Sequence, residues 1–163
     1  MIILGIDPGT ATTGFGIIKK NGNDFIVLEF GVIATNPKNI ASKRLEKIFQ
    51  GISSLLKKTR PDLVVIEKLY FFKNLKTALP VAEARGVILL ACQKYKMKII
   101  ELTPLEVKMG ICGYGRADKK QIQKMVKEIL ALKEIPKPDD ASDALAAAIC
   151  GALKIRHVNN LSI

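Results

Sequence analysis

Asp7 and Glu67 each close an apolar run, Ile2 to Ile6 for the first and Leu63 to Ile66 for the second. An acid at the end of such a run is costly to bury without a partner. Asp140 and Asp143 stand three apart at the start of an Ala-rich stretch, which puts them on one face of a helix. Taken singly, each has an ordinary explanation. Asp7-Pro8-Gly9 suits a turn, while Asp139 or Asp140 suits a helix N-cap and the macrodipole favours Asp143. Taken together at one edge of a sheet, four carboxylates would repel unless cations neutralised them. Hard divalent ions bound through carboxylate oxygens and water fit that need. A Mg²⁺ pair about 4 Å apart, with Mn²⁺ expected to substitute, is the usual device for in-line attack on a phosphodiester.

The acids meet only if the elements carrying them do. Ile2 to Ile6 reads as a strand buried on both faces, hence a central one. A second strand spans Thr13 to Lys20, Asn21-Gly22 signals a hairpin, and a third strand runs from about Asp24 to Thr35 with a bulge or bend expected at Gly31. Leu45, Ile48, Phe49, Ile52, Leu55 and Leu56 keep the helical period over Ser42 to Lys58. Leu63 to Glu67 is then a fourth strand, and a strand, helix, strand connection is normally a right-handed parallel crossover. A helix from about Asn74 to Lys94 holds Pro80 as a possible kink, and Lys98 to Leu102 is a fifth strand. Thr103-Pro104-Leu105-Glu106 is a capping box with Pro at the first helical position. Gly110, Gly113 and Gly115 suggest a flexible loop. Ala117 or Asp118 opens a helix with Ile122, Met125, Val126, Ile129 and Leu130 on one face, and a last helix covers about Asp140 to Ile155. Three antiparallel strands, then helix, strand, helix, strand and further helices, is the order of the ribonuclease H-like fold. If strands one and four are parallel neighbours, Asp7 and Glu67 share the edge where α/β sheets place their sites.

At 163 residues the chain fits one domain, 1–163, that buries about two thirds of its unfolded surface. Lys and Arg number 26 against 15 Asp and Glu, a net charge of +11, which favours a polyanionic partner, nucleic acid or an anionic membrane surface, with the membrane the weaker reading. No uncharged apolar stretch can span a bilayer, and the apolar start lacks a basic leader or cleavage site, so the expected location is cytoplasmic. Cys92, Cys112 and Cys150 are far apart and without metal-ligand spacing, and with His157 as the lone histidine a zinc site is not expected. They read as reduced, mostly buried thiols.

The segments ILGIDPGTATTGFG, VVIEKLYFFKN, ARGV at Ala84 to Val87 and DDASDALAAAI closely resemble the RuvC family of Holliday junction resolvases, in order and spacing over nearly the whole chain. The resemblance implies that Asp7, Glu67, Asp140 and Asp143 are Mg²⁺-binding catalytic carboxylates, with Asp139 outside the set. It implies that Lys108 and Lys119 serve junction binding or cleavage, although two lysines among 26 cations are otherwise read as solvated surface. It also gives Tyr70 the place of an aromatic that stacks on an unpaired base at the crossover. Tyr70 departs from the Phe common there, and Lys68 from Gln, but any aromatic face supports stacking. Phe71 and Phe72 are equally readable as core or as contacts to DNA or a second chain.

Resolution of a four-way junction needs two cuts, and the chain supplies one carboxylate cluster, so a two-fold homodimer is expected. Val81, Val87, Ile88, Leu89 and Leu90 on the helix from about Asn74 to Lys94 are the candidate contact. The resemblance further implies delivery of the junction by a branch-migration helicase complex. Two other readings compete. Asp7-Pro8-Gly9-Thr10 resembles the first phosphate hairpin of actin-like and sugar-kinase-like ATPases, but these need two lobes and a second hairpin. A basic nucleic-acid-binding module without catalysis would leave the carboxylates as caps and turns.

Overall fold

Alternation along two apolar strands divides the core. The computed structural model describes residues 1–68 and 75–160, with the backbone alone at 75–77 and 156–160. Strands β1 (Ile2–Asp7), β2 (Thr12–Asn21), β3 (Asp24–Ala34), β4 (Leu63–Glu67) and β5 (Ile99–Leu102) form one sheet in the order β3-β2-β1-β4-β5. The first three pair antiparallel, and β1–β4 and β4–β5 pair parallel. Leu4, Ile6, Val64 and Ile66 face α1 (Ala41–Thr59) and α2 (Leu75–Lys94), where they pack with Ile48, Ile52 and Ile88. Ile3, Ile18 and Val65 face the other way, toward Leu145 and Ile149 of α5 (Asp139–Asn160). Helices α3 (Pro104–Cys112) and α4 (Lys119–Ile129) complete that second layer through Val107, Ile111, Ile122 and Val126. The central strands are thus buried on both faces, as their unbroken apolar runs predict.

Close contact between α5 and the sheet is what brings the last two acids near the first two. A Cβ at Gly5 would lie 2.8 Å from the Ala148 nitrogen and 2.9 Å from its Cβ, and one at Gly14 would lie 3.0 Å from the Cβ of Asp140. At Gly16 it would meet Leu145 at 2.7 Å. Glycine on the strands and alanine on the helix together let the two backbones approach.

Several local features differ from the sequence expectation. The irregularity of β3 falls between the partners of Ile17 and Ile18, leaving Leu28 over, whereas Gly31 pairs regularly with Phe15. Gly31 is small because the Phe15 ring lies over it, 3.1 Å from where a Cβ would be. Gly110 lies inside α3 rather than in a loop, its missing Cβ leaving room for the Cys150 Sγ, and Gly113 with φ 66° caps the helix. Met125 is exposed rather than on the buried face of α4, and Leu130 is its C-cap. Asp139 and Asp140 both lie within the first turn of α5, where the Pro138 carbonyl accepts from the Ala141 amide at 3.0 Å. Ile88 belongs to the core, Val81, Val87 and Leu89 are partly buried, and of the five candidate contact residues only Leu90 is exposed. Asn74, with Tyr70, Phe71 and Phe72, lies outside the described residues.

Replacing Gly5 by Ala sets a methyl against the α5 backbone, which has no side chain to rotate away. The Gly5→Ala chain is expected to lose about 3 kcal/mol, the upper end of ordinary overpacking, measured by urea unfolding. Wild-type stability in that variant would show that α5 is not seated this closely.

Candidate active site

Parallel register sets the first pair of acids. Ile6 of β1 is opposite Ile66 of β4, so the next residue of each strand, Asp7 and Glu67, emerges at the same edge. Asp7 is itself opposite Gly14 of β2, above which the first turn of α5 begins. Thr12 Oγ1 donates to Asp140 Oδ2 at 2.7 Å, fixing that carboxylate from the start of β2. Asp143 follows one turn later. Asp7, Glu67 and Asp143 line a common cleft of about 220 Å³ with Lys108 of α3 and Lys119 of α4, walled by Pro104, Val107 and Ile122. Asp140 is not part of that lining, though its charge acts on both Asp7 and Asp143.

The cleft is short of positive charge. Burial first, then the charges of Glu67, Asp143 and Asp140, hold Asp7 well above the usual carboxylate range. Burial and the Asp143 charge push Glu67 up to about 7. Asp143 is raised by burial as well, against a hydrogen bond from Lys119. Lys119 opposes the shift in all three. It is the first residue of α4, whose start is fixed by a capping box between Asp118 and Gln121. Its Nζ lies 3.0 Å from Asp143 Oδ2 and 3.2 Å from Asp139 Oδ2.

Buried acids that repel one another, all with hard oxygen donors, are chemically suited to divalent cations. With Thr12 holding Asp140 and Lys119 holding Asp143, the described His, Cys, Asp and Glu residues do not close into a ligand cluster of three. Of the residues expected from sequence, the structure brings Asp7, Glu67, Asp143, Lys108 and Lys119 into one cleft and sets Asp140 beside it. Tyr70 lies outside the described residues. Sequence reasoning missed Thr12 and Gln123, and read Asp139 only as a possible N-cap outside the set. Gln123, buried on the packed side of α4, donates through Nε2 to Asp139 Oδ1 at 2.9 Å. A polar residue among the apolar positions of that helix was the available signal.

Comparison with known proteins shows the family. The family described as Crossover junction endodeoxyribonuclease RuvC matches residues 3–151. The chain belongs to the RuvC family. A RuvC from Caldicellulosiruptor saccharolyticus is 54% identical over 154 residues, covering 94% of this chain and 93% of that one. The solved structure of Thermus thermophilus RuvC superposes with a TM-score of 0.89 at 32% identity, over 96% of each chain. The same protein in complex with a Holliday junction substrate gives a TM-score of 0.88 at 30% identity. The five-stranded mixed sheet with flanking helices is accordingly the ribonuclease H-like fold, and the RuvC family is one of metal-dependent nucleases.

Raised carboxyl groups couple the cleft to stability. Glu67 holds its proton up to about pH 7 when folded, against 4.5 ordinarily, so between those values the folded chain keeps a proton the unfolded chain releases. Its contribution is full below about pH 4.5 and is lost as pH rises through about 7. Asp7 and Asp143 act in the same sense. Without divalent cations, unfolding free energy is expected to fall by up to about 3 kcal/mol across that window, and Glu67→Gln should flatten the fall. Denaturant titrations at pH 5 and 8 check this, and a stability that rises with pH through the window in wild type alone would contradict it.

Proposed function

We propose that this chain is a crossover junction endodeoxyribonuclease, a structure-selective enzyme that resolves four-way DNA junctions by paired phosphodiester cleavage. The observation that carries the reading is the meeting of Asp7, Glu67 and Asp143 in one cleft, with Asp140 beside it, in a chain of net charge +11. Asp7, Glu67, Asp140 and Asp143 are the residues that would hold a pair of Mg²⁺ ions, and Mn²⁺ suits the same oxygen donors. When bound, the ions supply positive charge at the attacking and leaving oxygens of an in-line displacement. The chain's own residues do the rest. Thr12 orients Asp140, the seating of α5 fixes Asp143 relative to Asp7, and Lys108 and Lys119 present ammonium groups to the phosphate entering the cleft. Products with 5′-phosphate and 3′-hydroxyl ends are the expected outcome.

The same reading makes the chain one nuclease domain that works in the cytoplasm as a two-fold homodimer, with a branch-migration helicase complex delivering the junction. Support for the dimer comes from α2. Leu79, Glu83, Gly86 and Leu90 share an exposed face, at spacings of four, three and four, and Leu79 and Leu90 are 70% and 61% exposed. A Cβ at Gly86 would meet nothing within 4 Å, so no contact among the described residues explains a glycine there. Close approach of a second helix would. Tyr70 is the proposed stacking residue at the crossover.

Incubation with a synthetic four-way junction tests the activity. Wild type should cut only with Mg²⁺ or Mn²⁺, whereas Asp7→Asn should bind in a salt-sensitive manner and not cut. Dimers of one intact and one Asp7→Asn chain should nick a single strand. Full-rate cutting by Asp7→Asn would remove the carboxylate assignment, and paired cutting by the mixed dimer would remove the two-site argument. For Tyr70, Ala should weaken junction binding by about 1–3 kcal/mol in gel-shift titrations and Phe should leave it intact. Equal damage from both would show that the hydroxyl, not stacking, is used.

A further inference from the structure

Lys119 joins two carboxylates with different surroundings. Asp143 is 25% exposed at its side chain and lines the cleft, while Asp139 is 62% exposed and lies outside the lining. Asp139 is also the better anchored of the two for this purpose. Its Oδ1 accepts from the Gln123 amide at 2.9 Å, which leaves Oδ2 directed at the Lys119 ammonium at 3.2 Å. Gln123 is 8% exposed, and a buried amide is retained at little cost only where it is hydrogen-bonded. Lys119 and Gln123 stand four apart on α4, so both reach the same carboxylate from one face of that helix.

We propose that Asp139 is a positioning residue that keeps Lys119 at the mouth of the cleft when divalent cations take over Asp143. The inference rests on the reading of the cleft as a metal site. A cation entering there competes with the Lys119 ammonium for Asp143 Oδ2, 3.0 Å away. With Asp139 present, Lys119 gives up one of two ion pairs and remains beside the entering phosphate. With Asp139 neutralised, Asp143 is its sole ion-pair partner among the described residues, and every cation bound there strips the lysine of that pair. Metal affinity then falls, and the lysine is released into solvent. Asp139 therefore acts on the metal through Lys119, not by ligation.

Mn²⁺ binding to the full chain without DNA, followed by the electron paramagnetic resonance signal of free Mn²⁺, reads this directly. Asp139→Asn should weaken Mn²⁺ binding about fivefold, the factor one exposed ion pair is worth at most. Lys119→Met should strengthen it, and adding Asp139→Asn to Lys119→Met should change nothing further. Asp139→Glu should restore the wild-type value. Equal weakening by Asp139→Asn in both backgrounds would mean simple loss of a nearby negative charge and would overturn the proposal. So would an unchanged Mn²⁺ affinity with a lowered melting temperature, the mark of a clip between α4 and α5 alone. If Mn²⁺ binding is absent from wild type, or survives Asp7→Asn, the metal-site reading falls and takes this inference with it.

Discussion

Helix α5 can lie directly on β1 and β2 only because Gly5, Gly14 and Gly16 present no Cβ beneath it, with Ala148 and the backbone of Asp140 against them. Everything in the cleft follows from that separation. β1 and β4 would place Asp7 and Glu67 together in any parallel sheet of this register, but those are two acids of four. The other two arrive on α5, and its distance from the sheet sets theirs from Asp7. A larger residue on either side would push the helix outward and carry Asp140 and Asp143 with it, since neither the strand nor the helix backbone can fold aside. The buried alanines of α5, Ala144, Ala146, Ala147 and Ala148, thus serve the site as much as the core.

Charge is distributed against the trend of the whole molecule. A chain of net charge +11 has a cleft in which, among the described residues, Lys119 is the one cation opposing the acids' shifts in all three of Asp7, Glu67 and Asp143. The outer field draws a polyanion from a distance and is screened by salt. The inner field does the opposite, repelling a phosphate until cations neutralise it. On the proposed reading binding and chemistry are thereby separated: surface lysines would hold nucleic acid with or without metal, and the cleft would admit a phosphate only when loaded.

What the sequence disclosed was the part governed by local pattern. Unbroken apolar runs marked β1 and β4 as central, their terminal acids followed, and Thr103 to Glu106 forms the capping box read from its spacing. Gly31 misled because glycine in a strand fits a bulge and an overlying ring equally well, and the ring of Phe15 comes from the neighbouring strand. Gly110 misled for the same reason, its partner Cys150 lying forty residues further on in α5. The partners of Thr12, Asp139 and Gln123 were illegible because each bond joins side chains from two different elements, although a polar residue on the apolar side of α4 marked Gln123 as unusual. The exposed face of α2 was half legible: its apolar excess is visible in the sequence, but which residues spend it on the core is decided by how the helix is rotated on the sheet.

Burying mutually repelling acids conflicts with the local rules that the rest of the chain obeys, and such conflicts concentrate where function is. Here the fold absorbs the conflict with its most rigid parts. Asp7 and Glu67 end strands whose other residues are almost wholly buried, and Asp143 sits in a helix packed along the sheet. The opposing cation, by contrast, comes from the first turn of α4, next to the connection from α3, and its side chain is half exposed. Acids that cannot retreat and a lysine that can make a directional device. Repulsion cannot be relieved by letting the carboxylates drift apart, so on the proposed metal-site reading it is relieved by exchanging cations, with Lys119 giving way at Asp143.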